Sequence, residues 1–143
     1  MKNIITADQI QFAVFKGACR EAVAWLQETP RTWEMLVNYH PDWFLWAAGE
    51  GMVPHDSLTP KIIDTCAEKE PGSALAYASQ LLTTERIDWC AERASICALF
   101  YCPSLLTPQR LDACARREPY TASKHAASLL TPERLDWCKT VCR

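Results

Sequence analysis

The sequence predicts an all-α fold, a short α-solenoid of about five and a half two-helix units that repeat every 24 residues. Three observations carry this reading. The chain repeats itself without a gap from Leu58 onward, and each unit holds helix-start and helix-stop chemistry at fixed places. No stretch alternates apolar and polar residues with period two for long enough to make a strand. With 143 residues, 49% apolar and 22% charged, the chain can bury a core of its own. Residues 1–143 are therefore expected to form one helical-repeat domain, divergent over 1–57 and regular over 58–143.

Taken in order, Thr6 to Gln27 reads as a first unit that has lost its registration. The next unit is placed by proline spacing. Thr29-Pro30 precedes Pro41 by the interval that separates Thr59-Pro60 from Pro71, and Phe44, Leu45 and Ala48 then take the places of Ala74, Leu75 and Ala78. A six-residue insertion from Gly49 to Pro54 follows, read as an irregular connection and not as a domain boundary. From Leu58 the chain runs LTPKIIDTCAEKEPGSALAYASQL, LTTERIDWCAERASICALFYCPSL and LTPQRLDACARREPYTASKHAASL, then the half-unit LTPERLDWCKTVCR. Asp recurs at Asp64, Asp88, Asp112 and Asp136, and Cys at Cys66, Cys90, Cys114 and Cys138.

Within a unit, Thr59, Thr107 and Thr131 are N-cap candidates: a Thr hydroxyl oxygen accepts an early backbone N–H, and the following Pro lacks a donor where none is needed. Ile63, Cys66 and Ala67, or Leu111, Cys114 and Ala115, then fall on one helical face that points to a core. Pro71 and Pro119 end that helix and open a second, on which Leu75, Ala78 and Leu82, or Leu99, Cys102 and Leu106, share a face. So short a helix pair cannot bury its apolar face alone, so neighbouring units must stack.

The 24-residue helical period is similar to that of the leucine-rich repeat variant family, whose units alternate an α-helix with a 3₁₀ helix; the likeness is one of period and topology. That family carries an iron–sulfur cluster, but no cluster-like cysteine spacing is present to hold one. The segments KGACREAVAWL and HPDWFLWAAGEG followed by LTPERLDWC units also resemble small phage and prophage proteins, which implies no particular activity.

Composition narrows function by exclusion. A net charge of −2 gives no global signal for nucleic acid or anionic membrane, no apolar run approaches a membrane span, and no leader-like stretch is evident, so a cytoplasmic protein is expected. Four glycines and three scattered histidines, His40, His55 and His125, supply no phosphate loop, zinc-hydrolase motif or nucleophile triad. No enzyme, cofactor or metal is expected. The eight cysteines are read as free thiols, with the repeated ones as small apolar residues where helices approach closely, and the histidines as surface or capping residues. Trp25, Trp33, Trp43 and Trp46 are read as the bulky core of the divergent units, with an aromatic ligand pocket among them as the alternative.

The remaining expectation is a non-enzymatic module that binds another protein, with nucleic acid as the second reading; an origin in phage would make that partner a host protein. The repeated Asp falls beside the core stripe, where it can accept hydrogen bonds from a neighbouring unit's helix start or connection. On the opposite flank lie Ile62, Thr65 and Lys69; Arg86, Trp89 and Arg93; Arg110, Ala113 and Arg117; and Arg134, Trp137 and Val141. Stacking is expected to gather Arg86, Trp89, Arg93, Arg110, Arg117, Arg134 and Trp137 into a basic, aromatic stripe for an acidic protein surface, with the carboxylates on a separate face. Leu135, Cys138 and Val141 near the end of the sequence have no following helix, which predicts a homodimer through this segment.

Overall fold

The computed structural model describes residues 3–142. Helices α1 (Ala7–Phe15) and α2 (Arg20–Glu28) form an N-terminal hairpin, followed by α3 (Trp33–Tyr39), α4 (Pro41–Gly49) and a 3₁₀ turn at His55–Ser57. The regular units are α5 (Pro60–Lys69), α6 (Pro71–Tyr77) and a 3₁₀ turn at Ser79–Leu81; α7 (Thr84–Arg93), α8 (Ser95–Tyr101) and a turn at Pro103–Leu105; and α9 (Pro108–Arg117), α10 (Pro119–His125) and a turn at Ala127–Leu129. Helix α11 (Pro132–Val141) opens a further unit. Among the described residues there is no strand; Ile4 and Thr32 form one isolated antiparallel bridge that ties the N-terminal segment to the start of α3.

Each first helix starts as its cap requires. The hydroxyl oxygens of Thr59, Thr83, Thr107 and Thr131 accept from the backbone N–H groups of Ile62, Arg86, Arg110 and Arg134 at 3.1–3.2 Å. Helices of 7 and 10 residues are marginal in isolation, so packing must hold them. First helices α5, α7, α9 and α11 lie side by side, second helices α4, α6, α8 and α10 do the same, and each second helix also packs on the first helix of the next unit. Ile63, Ile87 and Leu111, the repeated cysteines and the alanines after them are buried from this contact, as the face pattern predicts. One apolar cluster runs from Ile5 to Cys138 without interruption, so the chain packs continuously across the Gly49 to Pro54 connection.

Four expectations are corrected. First, the second helix does not carry its face on to Leu82 or Leu106. It ends at Tyr77 or Tyr101, and a 3₁₀ turn follows before the chain becomes extended at Leu82 and Leu106. Second, Thr29-Pro30 does not open its unit as Thr59-Pro60 does, although the proline spacing matches. Thr29 closes α2, while Thr32 caps α3 through Met35 N–H at 3.1 Å, because residues 31 and 33 are engaged with residues 3 and 5 in backbone hydrogen bonds. Third, the six extra residues are not all loop. Helix α4 is 9 residues long where α6 has 7, and the remainder turns through Gly51 at φ +78°. Fourth, only Trp33 of the four N-terminal tryptophans is buried, at 2% exposure. Trp25, Trp43 and Trp46 are half-buried against the outside of the core, Trp25 under the Arg31 guanidinium and Trp43 stacked on His40 at 3.8 Å.

Candidate functional site

The first helices build the flank that holds the seven singled-out residues. Arg86, Trp89 and Arg93 do share one side of α7: the Arg93 guanidinium lies 3.7 Å and that of Arg86 4.9 Å from the Trp89 ring centroid. On α11, Arg134 covers Trp137 at 4.7 Å. These pairs follow from residues three or four apart on one helical face.

The flank does not, however, form a free basic face opposite an acidic one. Arg86 pairs with Asp64 at 3.3 Å and Glu68 at 3.4 Å, both on α5. Arg110 reaches Glu92 on α7 at 3.7 Å, and Arg134 holds Asp112 on α9 at 2.6 Å. The Arg117 guanidinium donates to the backbone carbonyl of Glu92. The reason is geometric: like helices stacked in parallel set the basic flank of one unit against the acidic flank of the unit before it. Opposite flanks on one helix thus become facing sides of a seam. The three seam arginines are only 18–24% exposed as a result. The hydrogen bond from Arg134, with the positive charges of Arg134 and Arg116, holds the Asp112 carboxyl below its ordinary range despite some desolvation.

The seams also complete the helix ends. The last carbonyls of a helix have no partner within it. At the end of α7, the Ala91 carbonyl accepts from Ser95 Oγ at 3.1 Å and from the Cys114 thiol of the next unit at 3.8 Å, and the Glu92 carbonyl takes Arg117. Cys138 contacts Ala115 O in the same way at 3.9 Å. At Cys114 and Cys138 the repeated cysteine is thus a small buried side chain with a weak donor aimed at a carbonyl near the end of the preceding first helix. Burial pushes the Cys66, Cys90 and Cys102 thiols up to about 11. The middle seam differs: Asp88 accepts from the N-cap Thr107 at 3.3 Å, and Asp88 Oδ1 and Arg110 Nε, the atoms equivalent to those paired in the other two seams, are buried without partners among the described residues.

A second surface was not singled out by the sequence reading. Tyr77 and Tyr101, with His125, end successive second helices, and Leu81, Leu105 and Leu129 end successive 3₁₀ turns; all six are exposed. The Phe100 ring bridges two units, 4.8 Å from Tyr101 and 4.4 Å from His125. Ile96 and Tyr120 add exposed apolar area on the same layer of helices. The signal was present in the 24-residue spacing of these positions, but a search for core and charge passes over a Leu or Tyr outside both patterns.

Among the described residues no group of His, Cys, Asp and Glu is arranged to hold a metal ion, and no helix is long and apolar enough to cross a membrane. Comparison with family models, curated proteins and solved structures finds no match.

Proposed function

We propose that the chain is a non-enzymatic module that binds another protein on the layer of second helices and 3₁₀ turns. The observation that carries this is the pair of exposed apolar rows, Tyr77, Tyr101 and His125 beside Leu81, Leu105 and Leu129, joined by Phe100. Segments 71–84, 94–109 and 119–132, which make this layer, contain no Asp or Glu, and Lys124 is their one Lys or Arg. Docking there desolvates almost no charge, and Tyr, with Trp and Arg, is among the residue types that dominate interface energy. The matching partner presents an apolar surface. Binding through Arg86, Arg110 or Arg134 would instead require breaking ion pairs that already close the seams.

The acidic-surface reading keeps only the more exposed cations, Arg93 and Arg117, beside carboxylates that repel a phosphate backbone as well. Nucleic acid therefore ranks second. The test compares two double variants, Phe100→Ser with Tyr101→Ser and Arg93→Ala with Arg117→Ala, each shown by circular dichroism to be folded. Affinity capture of partner proteins should be lost at least tenfold with the aromatic variant and kept with the arginine variant. The reverse pattern would move the site to the basic flank.

A further inference from the structure

We propose that the groove between α3 and α5 is a binding site for a guanidinium group, supplied as an arginine side chain by a partner protein. The seam arginines show what such a site needs. Arg86, Arg110 and Arg134 are 18–24% exposed, and each lies against carboxylates of the first helix before its own: Asp64 and Glu68, Glu92, and Asp112. One place in the repeat lacks that arginine. By the 24-residue period, Ile62 on α5 stands where those three arginines stand, so α5 brings no guanidinium to its seam with α3.

The acceptors are nevertheless in place. Counting back from Pro41 and Pro71, which open α4 and α6, Glu34 on α3 stands where Asp64 stands on α5. Asn38 takes the place of Glu68, and Asp56 of the 3₁₀ turn brings a second carboxylate to the groove. Helices α3 and α5 do not pack side by side as α5 and α7 do, and about 600 Å³ opens between them, with Glu34, Val37, Asp56, Lys61 and Ile62 among the walls. Glu34 is exposed, whereas Asp64, Asp88 and Asp112 in the filled seams are half-buried. None of the ion pairs among the described residues includes Glu34, Asp56 or Lys61. Two carboxylates against one ammonium leave the groove negative, so an incoming guanidinium meets uncommitted acceptors while Val37 and Ile62 cover its aliphatic stem. The site lies among the first helices and does not rest on the apolar rows of the other layer.

The experiment titrates the full ¹⁵N-labelled chain with Nα-acetyl-arginine methylamide and, separately, with the corresponding lysine derivative, neither of which carries a carboxylate. The arginine probe should move the backbone N–H signals of Glu34, Ile62 and Thr65 saturably. It should also bind several-fold more tightly than the lysine probe, whose compact ammonium lacks the planar fork. Glu34→Gln, at an exposed position, should weaken the arginine probe about tenfold, the worth of one charge-assisted hydrogen bond. Ile62→Arg supplies the guanidinium from the chain itself and should abolish probe binding; if this variant does not fold, Glu34→Gln decides. No saturable shift at the groove, equal affinity for the two probes, or parent affinity in either folded variant would overturn the proposal.

Discussion

The repeated cysteine shows how one residue type serves three needs at once. It is small enough for close helix approach, apolar enough for a fully buried place and, at Cys114 and Cys138, able to aim a weak donor at a carbonyl of the preceding unit. Burial has a pH consequence. The folded pKa of Cys66, Cys90 and Cys102 lies about 11, above the 9.0 of an unburied thiol. A raised thiol pKa means that stability is complete below pH 9 and is lost as pH rises toward 11, because the unfolded chain gives up its protons first. The loss is at most about 1.4 kcal/mol per thiol per pH unit. The urea midpoint of the parent chain should therefore fall across this window more steeply than that of a variant with Cys66→Ala, Cys90→Ala and Cys102→Ala. Parallel profiles would show that other groups govern the alkaline transition. Asp88 and Arg110 make a different point, for their unpaired atoms mark the seam in which the N-cap Thr107 competes for the carboxylate.

Among elements, the first helices were the most legible in the sequence, because Thr caps, a following Pro and the Ile63, Cys66, Ala67 pattern all point the same way. The second helices are shorter than their side-chain spacing predicts. Leu75, Ala78 and Leu82 have helical spacing, yet the backbone leaves the helix at Ala78 with φ −133° and turns through 3₁₀ geometry to reach the next unit. Side-chain spacing alone does not register that change. The divergent N-terminal elements were the least legible, since the bridge between Ile4 and Thr32 that moves the start of α3 is a long-range pairing. Helix α4 carries its own constraint. A Cβ on Gly49 would run into the carbonyl of Tyr77 at the end of α6, and the Gly49 carbonyl itself accepts from Gln80 Nε2 at 3.3 Å. The clash is with backbone, so it cannot be relieved by a rotamer change. Gly49→Ala should lower the unfolding free energy by about 1–3 kcal/mol, as overpacking does, measured by urea denaturation; unchanged stability would mean that α4 and α6 separate freely.

At the scale of the whole molecule, the sequence supports the stack but misplaces the charge. Helical-wheel geometry correctly sets Arg86, Arg110 and Arg134 on one flank and Asp64, Glu68, Glu92 and Asp112 toward the other. What it omits is that parallel stacking turns these two flanks toward each other, so charge is spent between units and the uncharged layer of second helices is left as the open surface. The measurement that tests this most directly is thermal unfolding of the triple variant Arg86→Ala, Arg110→Ala, Arg134→Ala beside a control with the exposed cations Arg20→Ala and Lys139→Ala. Each of the two outer seams is worth about 0.5–1 kcal/mol as a partly covered ion pair, and the largely unpaired middle seam adds little, so the triple variant should lower Tm by on the order of 3–7 °C, while the control, with both side chains exposed, stays within about 2 °C of the parent. A triple variant that unfolds at the parent's temperature would contradict the account, since the arginines would then be a free basic face after all.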